Sequence, residues 1–415
     1  MTDSNLRPAG VAWGHVARWF LRGRVFRIAV QVRMLALASV GVLLTIFGWW
    51  LIAQAYSSAA SPEFAALLPS YRSCPWTSVD SRGGLLSAFG PTTSTGPDMG
   101  APPTDGVIDP WHRLTTPVVQ FFHLSRSAAG ASFLVLCTLW ATLVWGLFGG
   151  ALTRSAMLQL SREESAPLGA ALGHAGRRWI SYSAAPLLPL AAVLFITLGL
   201  LFLGLVMRAS VLLAGIAWPL ALLGGAVMAL AALGLSVGWP LMHATISAEG
   251  SDGFDAISRS YSYVYQRPLH YLFYGLCALV LGLIGLFVVE LFATTVIHLS
   301  HWSVSWGSGN ELMRRVVDRD PSLGRTDLWG AELIRFWVGA VRLMVVGFAF
   351  AFFWTAVSAV YLLLRFDADG AELNEIHVDE GDQTYGLPPL TKDAAGVPVV
   401  PAGAASADTA PPANG

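Results

Sequence analysis

The chain has 415 residues, of which 54% are hydrophobic and 12% are charged, and its formal net charge is −1. Soluble domains carry about 25% charged residues, so this composition excludes an ordinary water-soluble protein and indicates a chain that lies mostly in lipid. The near-neutral charge predicts no nucleic-acid partner, and three cysteines supply neither a disulfide framework nor a zinc-binding pattern.

The N-terminal part of the chain predicts a basic segment followed by a membrane span. Residues 1–33 hold six arginines and an amphipathic stretch, and residues 34–56 form an apolar run long enough to cross a bilayer. The positive-inside rule then places the N-terminus in the cytoplasm. Residues 57–128 follow as a long outer loop, and we expect its end, Trp111 to Leu124, to lie on the outer membrane surface.

Five further apolar runs predict five more spans, at 129–152, 183–206, 218–245, 269–292 and 336–364. A turn is expected at Ala217-Trp218-Pro219, which leaves 209–216 as a short interfacial or re-entrant segment. A second outer loop covers 293–335, and the tail from 367 to 415, acidic and then rich in Ala and Pro, is predicted to be disordered. The transmembrane domain is thus 34–366, with both termini cytoplasmic.

Two of the connections assigned to the cytoplasm resemble each other. Residues 165–171 and 251–257 each follow a glutamate and continue as an amphipathic helix with one apolar stripe, Leu168 to Trp179 in the first and Phe254 to Val264 in the second. On the second helix, Asp255 and Arg259 stand four residues apart and are expected to pair. The predicted fold is an all-α, polytopic transmembrane helix bundle of about six spans with cytoplasmic interfacial amphipathic helices.

The stretch from Phe254 to Ser260, followed by Arg267-Pro268 at the start of a span, resembles uncharacterised bacterial six-span inner-membrane proteins. These include families similar to the membrane domain of glycerophosphodiester phosphodiesterases. The resemblance implies a bundle in the bacterial inner (cytoplasmic) membrane. Because the chain shows no soluble phosphodiesterase domain, that activity is not expected to carry over.

One acidic residue, Glu290, lies inside a predicted span, where an unpaired charge costs about 3 kcal/mol. Arg342 lies at a similar depth in the last span, so we predict an intramembrane ion pair between the two side chains. The pair would either fix the register of two helices or serve a proton or substrate relay.

Other polar groupings do not predict a metal, a cofactor or a catalytic site. Glu290, Thr294, His298 and His301 share one helix side but match no zinc spacing. The stretch Asp367 to Gly370 fails the calcium-loop pattern at both ends. His243 and His270 are expected to be interfacial histidines at the inner ends of their spans.

Two functions remain open. The first is a non-enzymatic scaffold or partner subunit that contacts membrane lipids and other membrane or cytoplasmic proteins through its surface helices and tail. The second is a transporter or permease subunit with a polar site around Glu290 and Arg342. Ala171, Gly176, Leu188 and Pro189 match part of the coupling-loop signature of importer permeases, but the leading glutamate of that signature is missing.

Overall fold

The computed structural model describes residues 23–57, 68, 71, 106–123, 128–164, 167–318 and 323–377, and the pairs 391–392 and 398–399. The chain divides into two units, 1–376 and 377–415. In the second unit, β1 (Thr391–Lys392) pairs antiparallel with β2 (Pro398–Val399). The described part of the first unit is helical.

Eleven α-helices have described bounds in the first unit. In chain order they are α1 (Arg24–Ala29), α2 (Val32–Ala55), α3 (Asp109–His123), α4 (Ala128–Ser161), α5 (Leu168–Arg177), α6 (Trp179–Ala209), α7 (Val211–Glu249), α8 (Gly253–Gln266), α9 (Pro268–Ser308), α10 (Asn310–Asp318) and α11 (Arg325–Asp369). Six of them, α2, α4, α6, α7, α9 and α11, are long and apolar enough to cross a membrane. The prediction of an all-α polytopic bundle is therefore confirmed.

Several spanning helices are longer than their apolar runs. Helix α4 continues to Ser161 and α9 to Ser308, and the predicted outer loop 293–335 is largely helical. Hydropathy marks only the part of a helix that tolerates lipid. Residues 153–160 of α4 include the polar Thr153, Arg154, Ser155 and Gln159 and are buried nonetheless, because neighbouring helices cover them.

The turn between α6 and α7 is a single residue, Ser210, so the prediction of an interfacial or re-entrant segment at 209–216 is wrong. The Ser210 hydroxyl accepts a hydrogen bond from the Leu213 amide at 3.3 Å and caps α7. Pro219 lies inside α7 instead of in a turn. The helix-capping serine was the sequence signal for the true boundary.

The end of the bundle at which α2 begins is called here the proximal end, and the opposite end the distal end. The side-chain core is densest in the proximal half, where α11 is buried from Gly347 to Leu364 except at Phe353 and Val357. Glycines permit this packing: a Cβ at Gly149 would lie 2.8 Å from the Trp354 ring, and one at Gly150 would lie 2.9 Å from the Tyr182 ring.

Helix α3 enters the bundle instead of lying on its surface, which corrects the prediction for Trp111 to Leu124. Near its start, the Trp111 indole donates to the Ser236 carbonyl of α7 at 3.1 Å. Val107, just before the helix, packs against Gly282 and Phe352 of α9 and α11. Towards its other end, Gln120 accepts a hydrogen bond from Tyr71 at 2.6 Å, beside the distal parts of α2 and α4. Helix α3 is therefore re-entrant from the distal end.

The level that α3 reaches is near the middle of the bundle. Trp111 shares a cavity with Trp145 of α4. The Trp145 indole donates to Thr45 at 3.0 Å, and Thr45 lies close to the midpoint of α2. Non-spanning helices at this depth are tolerated where protein or a cavity surrounds them.

The amphipathic helices α5 and α8 pack on the proximal ends of the spanning helices. The buried face of α8 consists of Ala256, Ser260 and Tyr263, whereas Phe254 is 75% exposed, so the predicted stripe from Phe254 to Val264 is only partly correct. The first residues of this face are small because α8 approaches α6 closely at Gly253. The Asp255–Arg259 pair is confirmed, at 3.2 Å.

Candidate functional site

Two adjacent regions of the bundle carry its buried polar chemistry. One is a group of polar side chains at the proximal end, and the other is a pocket in the middle of the bundle, beside α3. The proximal polar cluster is defined as Thr153, Arg154, Tyr182, Ser247, Glu249, Arg259, Tyr361 and Arg365.

Glu249, the last residue of α7, is the centre of the proximal polar cluster. Its carboxylate accepts a hydrogen bond from Tyr361 at 2.6 Å and pairs with Arg259 at 2.6 Å and with Arg365 at 3.7 Å. These contacts join α7, α8 and α11. The sequence indicated Glu249 only as a residue preceding a surface helix, and its role emerges from the packing.

The second half of the cluster is a fully buried hydrogen-bonded group around Ser247, two residues before Glu249 on α7. The Ser247 hydroxyl lies 2.6 Å from that of Thr153 and 2.8 Å from that of Tyr182, and the Arg154 guanidinium donates to the Ser247 carbonyl at 2.9 Å. All four side chains are essentially inaccessible. The group joins α4, α6 and α7 at the proximal end of the bundle.

Two acidic residues that the sequence assigned to the tail belong to the bundle. Asp367 and Asp369 form the last turn of α11 and accept hydrogen bonds from Tyr274 and Tyr263, respectively. Burial and the hydrogen bond to Asp369 raise the pKa of Tyr263 well above its ordinary value. The structured domain therefore extends past the predicted boundary at 366.

The mid-bundle pocket has a volume of about 310 Å³ and lies between α3, α4, α6 and α7. Its wall is mostly apolar, with four hydroxyl side chains, Thr115, Thr138, Thr142 and Ser236, each donating to a carbonyl of its own helix. Val119 and Phe122 of α3, both more than half exposed, form the rim. Such an apolar cavity with a few polar groups is typical of small-molecule sites.

Two buried polar side chains, His243 and Trp239, lie at the inner end of the pocket. His243 is 2% exposed, and the backbone carbonyls of Trp239 and Trp145 lie close to its imidazole. The Trp239 indole N–H, in a side chain 7% exposed, has no hydrogen-bond acceptor among the described residues. Buried donors of this kind cost free energy unless something pairs with them.

The location of His243 corrects the expectation of an interfacial histidine. The Tyr182, Trp239 and Trp354 rings surround it, with ring centroids 4.7 to 6.3 Å away. His270, by contrast, is partly exposed near the start of α9. The positions of the two histidines near the ends of their helices did not distinguish them in the sequence. His243 is buried because α7 crosses α4 and α11 there.

A buried ion pair stabilises the start of the re-entrant helix. Asp109 and Arg113 lie one turn apart on α3, with Nε and Oδ2 separated by 2.7 Å, and are 4% and 7% exposed. The Asp109 carboxylate also lies at the positively polarised end of the helix. Sequence analysis missed the pair because it assigned these residues to an outer loop. Their i, i+4 spacing within an amphipathic stretch was the available signal.

Glu290 and Arg342 are half-buried residues of α9 and α11. Gly285 contacts Phe348 across these two helices, and Glu290 lies five residues beyond Gly285 while Arg342 lies six residues beyond Phe348, both towards the distal end. The two residues therefore occupy similar levels of the bundle. Their ion pair stays a prediction.

Arg342 also lines a distal cavity of about 900 Å³ between α2, α9, α10 and α11. Glu332, Arg335 and His301 contribute further polar groups to its wall. Among the residues that the structure describes, no group of three or more His, Cys, Asp or Glu side chains is placed to hold a metal ion.

The fold and these cavities define an integral membrane protein of six long apolar helices with a re-entrant helix and an internal pocket. No protein-family model, curated protein or solved structure matches the chain.

Proposed function

We propose that this membrane protein binds a small molecule in its mid-bundle pocket and serves as a transporter or a transporter subunit. The observation that carries the proposal is α3, a re-entrant helix that ends in the middle of the bundle and forms one wall of that pocket. In transporters, interrupted helices that end near the bilayer midplane commonly border the substrate site.

The asymmetry of the bundle supports this proposal. At the proximal end the proximal polar cluster joins the helices, whereas the distal half contains the 900 Å³ cavity lined by Arg335 and Arg342. Ionisable residues within spanning helices commonly face a wet cavity and mark a substrate or ion pathway. By the positive-inside rule, the proximal end faces the cytoplasm, so this cavity would lie towards the outer face.

A scaffold is the second candidate function. Its support is a set of exposed apolar side chains at the proximal end: Ile180, Phe254 and Leu269 are each at least 75% exposed. Such residues beside amphipathic helices suit an interface with lipid headgroups or another membrane protein. A scaffold needs neither the pocket nor a wet pathway to it.

Cysteine accessibility separates the two functions. In a chain with Cys74, Cys137 and Cys277 replaced by serine, single cysteines are introduced as Thr142→Cys in the pocket and Ala151→Cys in the solid core. A charged, membrane-impermeant thiosulfonate reagent is then added to either face of sealed vesicles.

A transport pathway predicts that the cysteine at 142 reacts from at least one face, because water must reach the substrate site, while the fully buried position 151 stays unreactive. A scaffold predicts that both positions resist the reagent from both faces. Equal protection of 142 and 151 would overturn the transport proposal.

A further inference from the structure

The mid-bundle pocket has a neighbour of similar size on the other side of Trp111. This second pocket, called here the proximal pocket, has a volume of about 300 Å³ and lies between α3, α7, α9 and α11. Its wall includes Tyr271, near the proximal start of α9, and Val360, near the proximal end of α11. The proximal pocket therefore lies nearer the proximal end than the mid-bundle pocket does. Trp111 is the only described residue that lines both pockets.

The Trp111 side chain connects α3 to α7. The body of α3 packs on α4 and α11, and the Trp111 indole N–H reaches from it to the Ser236 carbonyl of α7, which accepts a hydrogen bond at 3.1 Å. On one side of this contact lies the mid-bundle pocket, between α4 and α6, and on the other lies the proximal pocket, between α9 and α11. The indole is therefore part of the wall that separates the two pockets.

A proline makes the acceptor available. In an α-helix the amide of each residue donates to the carbonyl four positions earlier, and Pro240, inside α7, has no amide hydrogen to give to the Ser236 carbonyl. The next carbonyl, that of Val237, accepts a hydrogen bond from the Tyr271 hydroxyl of α9 at 2.8 Å. Side chains of neighbouring helices commonly satisfy backbone groups that a proline frees within a membrane. A side chain leaves such a carbonyl by rotating, whereas a backbone amide leaves only when the helix unwinds.

We propose that the two pockets are successive chambers of one pathway and that Trp111 is the gate between them. The gate is closed while the indole N–H donates to the Ser236 carbonyl, and it opens when the ring rotates away from α7 and the pockets become continuous. Pro240 keeps the acceptor free for this contact. The inference rests on the proposed transport function, for which it names the residue that separates the two chambers.

The gate is tested by cysteine accessibility in sealed vesicles, with the full chain in which the three native cysteines are replaced by serine. Val357→Cys reports on the proximal pocket and Thr142→Cys on the mid-bundle pocket. The rate of reaction with the impermeant thiosulfonate is measured from the face at which position 142 reacts. Position 357 should be protected from that face, and Trp111→Ala should raise its rate at least about tenfold, because one net hydrogen bond contributes about a factor of ten. Trp50→Ala, which removes a lipid-exposed indole of α2, should leave the rate unchanged.

The hydrogen bond that closes the gate is tested separately, by the free carbonyl that the proline creates. Trp111→Phe leaves the Ser236 carbonyl without its donor and should raise the equilibrium constant of unfolding in mixed micelles. With Pro240→Ala, the amide of residue 240 can donate to that carbonyl, so the effect of Trp111→Phe should be about tenfold smaller. The smaller ring costs the same in both backgrounds and cancels in the comparison. Pro219→Ala, at the other proline of α7, is the matched control and should leave the effect of Trp111→Phe undiminished.

Each result decides between the proposals. If position 142 reacts while position 357 stays protected in Trp111→Ala, or reacts equally fast in the native chain, the gate is overturned and the transport proposal stands. Protection of both positions in every variant would overturn both proposals. An effect of Trp111→Phe that Pro240→Ala does not reduce would overturn the hydrogen bond as the closing contact. If thermal unfolding shows that Trp111→Ala does not fold, Trp111→Phe replaces it in the accessibility comparison, with the same rise expected at position 357.

Discussion

Replacing Asp109 by asparagine tests whether α3 lies within the bundle. In an outer loop, an i, i+4 ion pair between Asp109 and Arg113 is solvated, and its loss would cost at most about 0.5 kcal/mol. In the structure both side chains are more than nine-tenths buried. Removing one partner of a buried ion pair leaves an uncompensated charge and typically costs about 3 to 5 kcal/mol.

The expected loss in the free energy of unfolding is therefore roughly six or more times larger for a buried pair than for an exposed pair. The double variant Asp109→Asn/Arg113→Leu removes the orphaned charge and should recover most of the loss, because apolar replacements of a buried pair are often neutral. If the pair were exposed, Asp109→Asn would cost little stability, and the double variant would have little to recover.

The free energy of unfolding is measured for the native chain, the single variant and the double variant by reversible denaturation in mixed micelles. Glu311→Ala on α10 is the matched control: Glu311 pairs with Arg314 and Arg315 at an exposed position, so its loss should produce no measurable change. A loss below about 0.5 kcal/mol for Asp109→Asn would refute the burial of this pair, and with it the re-entrant position of α3.

Three further predictions concern the packing and the charges of the bundle. Gly150→Ala should lower the free energy of unfolding by about 1 to 3 kcal/mol, because the added methyl group overpacks the core. Gly169→Ala is the control and should not lower it, because a Cβ at Gly169 meets nothing within 4 Å. The free energy of unfolding of both variants is measured by the same denaturation. The pKa of Tyr263 is raised in the folded protein, so its contribution to stability is complete below the ordinary tyrosine pKa near 10 and is lost as the pH rises through the folded-state pKa. When the free energy of unfolding is measured from pH 8 to 11, Tyr263→Phe should therefore lose less stability at alkaline pH than the native chain. An identical pH profile for the two proteins would contradict the raised pKa. Glu290→Gln should reduce the yield of folded protein by size-exclusion chromatography, and adding Arg342→Gln should restore it; unaltered single variants would argue against the ion pair.

Hydropathy alone located the six spanning helices, because the cost of placing polar groups in lipid forces about 20 apolar residues into each crossing. The same criterion failed where polar residues continue a helix under the cover of its neighbours, as at 153–160 of α4. It also misplaced the α6–α7 turn, because the residues on both sides of it are mostly apolar and only Arg208 and the Ser210 cap mark it.

The residues of the candidate site likewise divide into those that the sequence identified and those that only the structure showed. Sequence analysis singled out Glu290 and Arg342, since a charge inside an apolar run is visible without any knowledge of packing. It did not identify Asp109, Arg113 or Trp239, and it took His243 for an interfacial residue. Nothing local distinguishes a buried tryptophan or histidine near a helix end from an exposed one.

The sequence by itself determined that the chain crosses a membrane as a bundle of six apolar helices, because the transfer of side chains into lipid depends on composition over a short window. Tertiary structure alone decided that α3 re-enters the bundle, that Glu249 joins three helices, and that two buried polar groups meet at the end of an apolar pocket. These features arise between helices distant in sequence, and their positions depend on crossing geometry and close packing at glycines, which no single segment specifies.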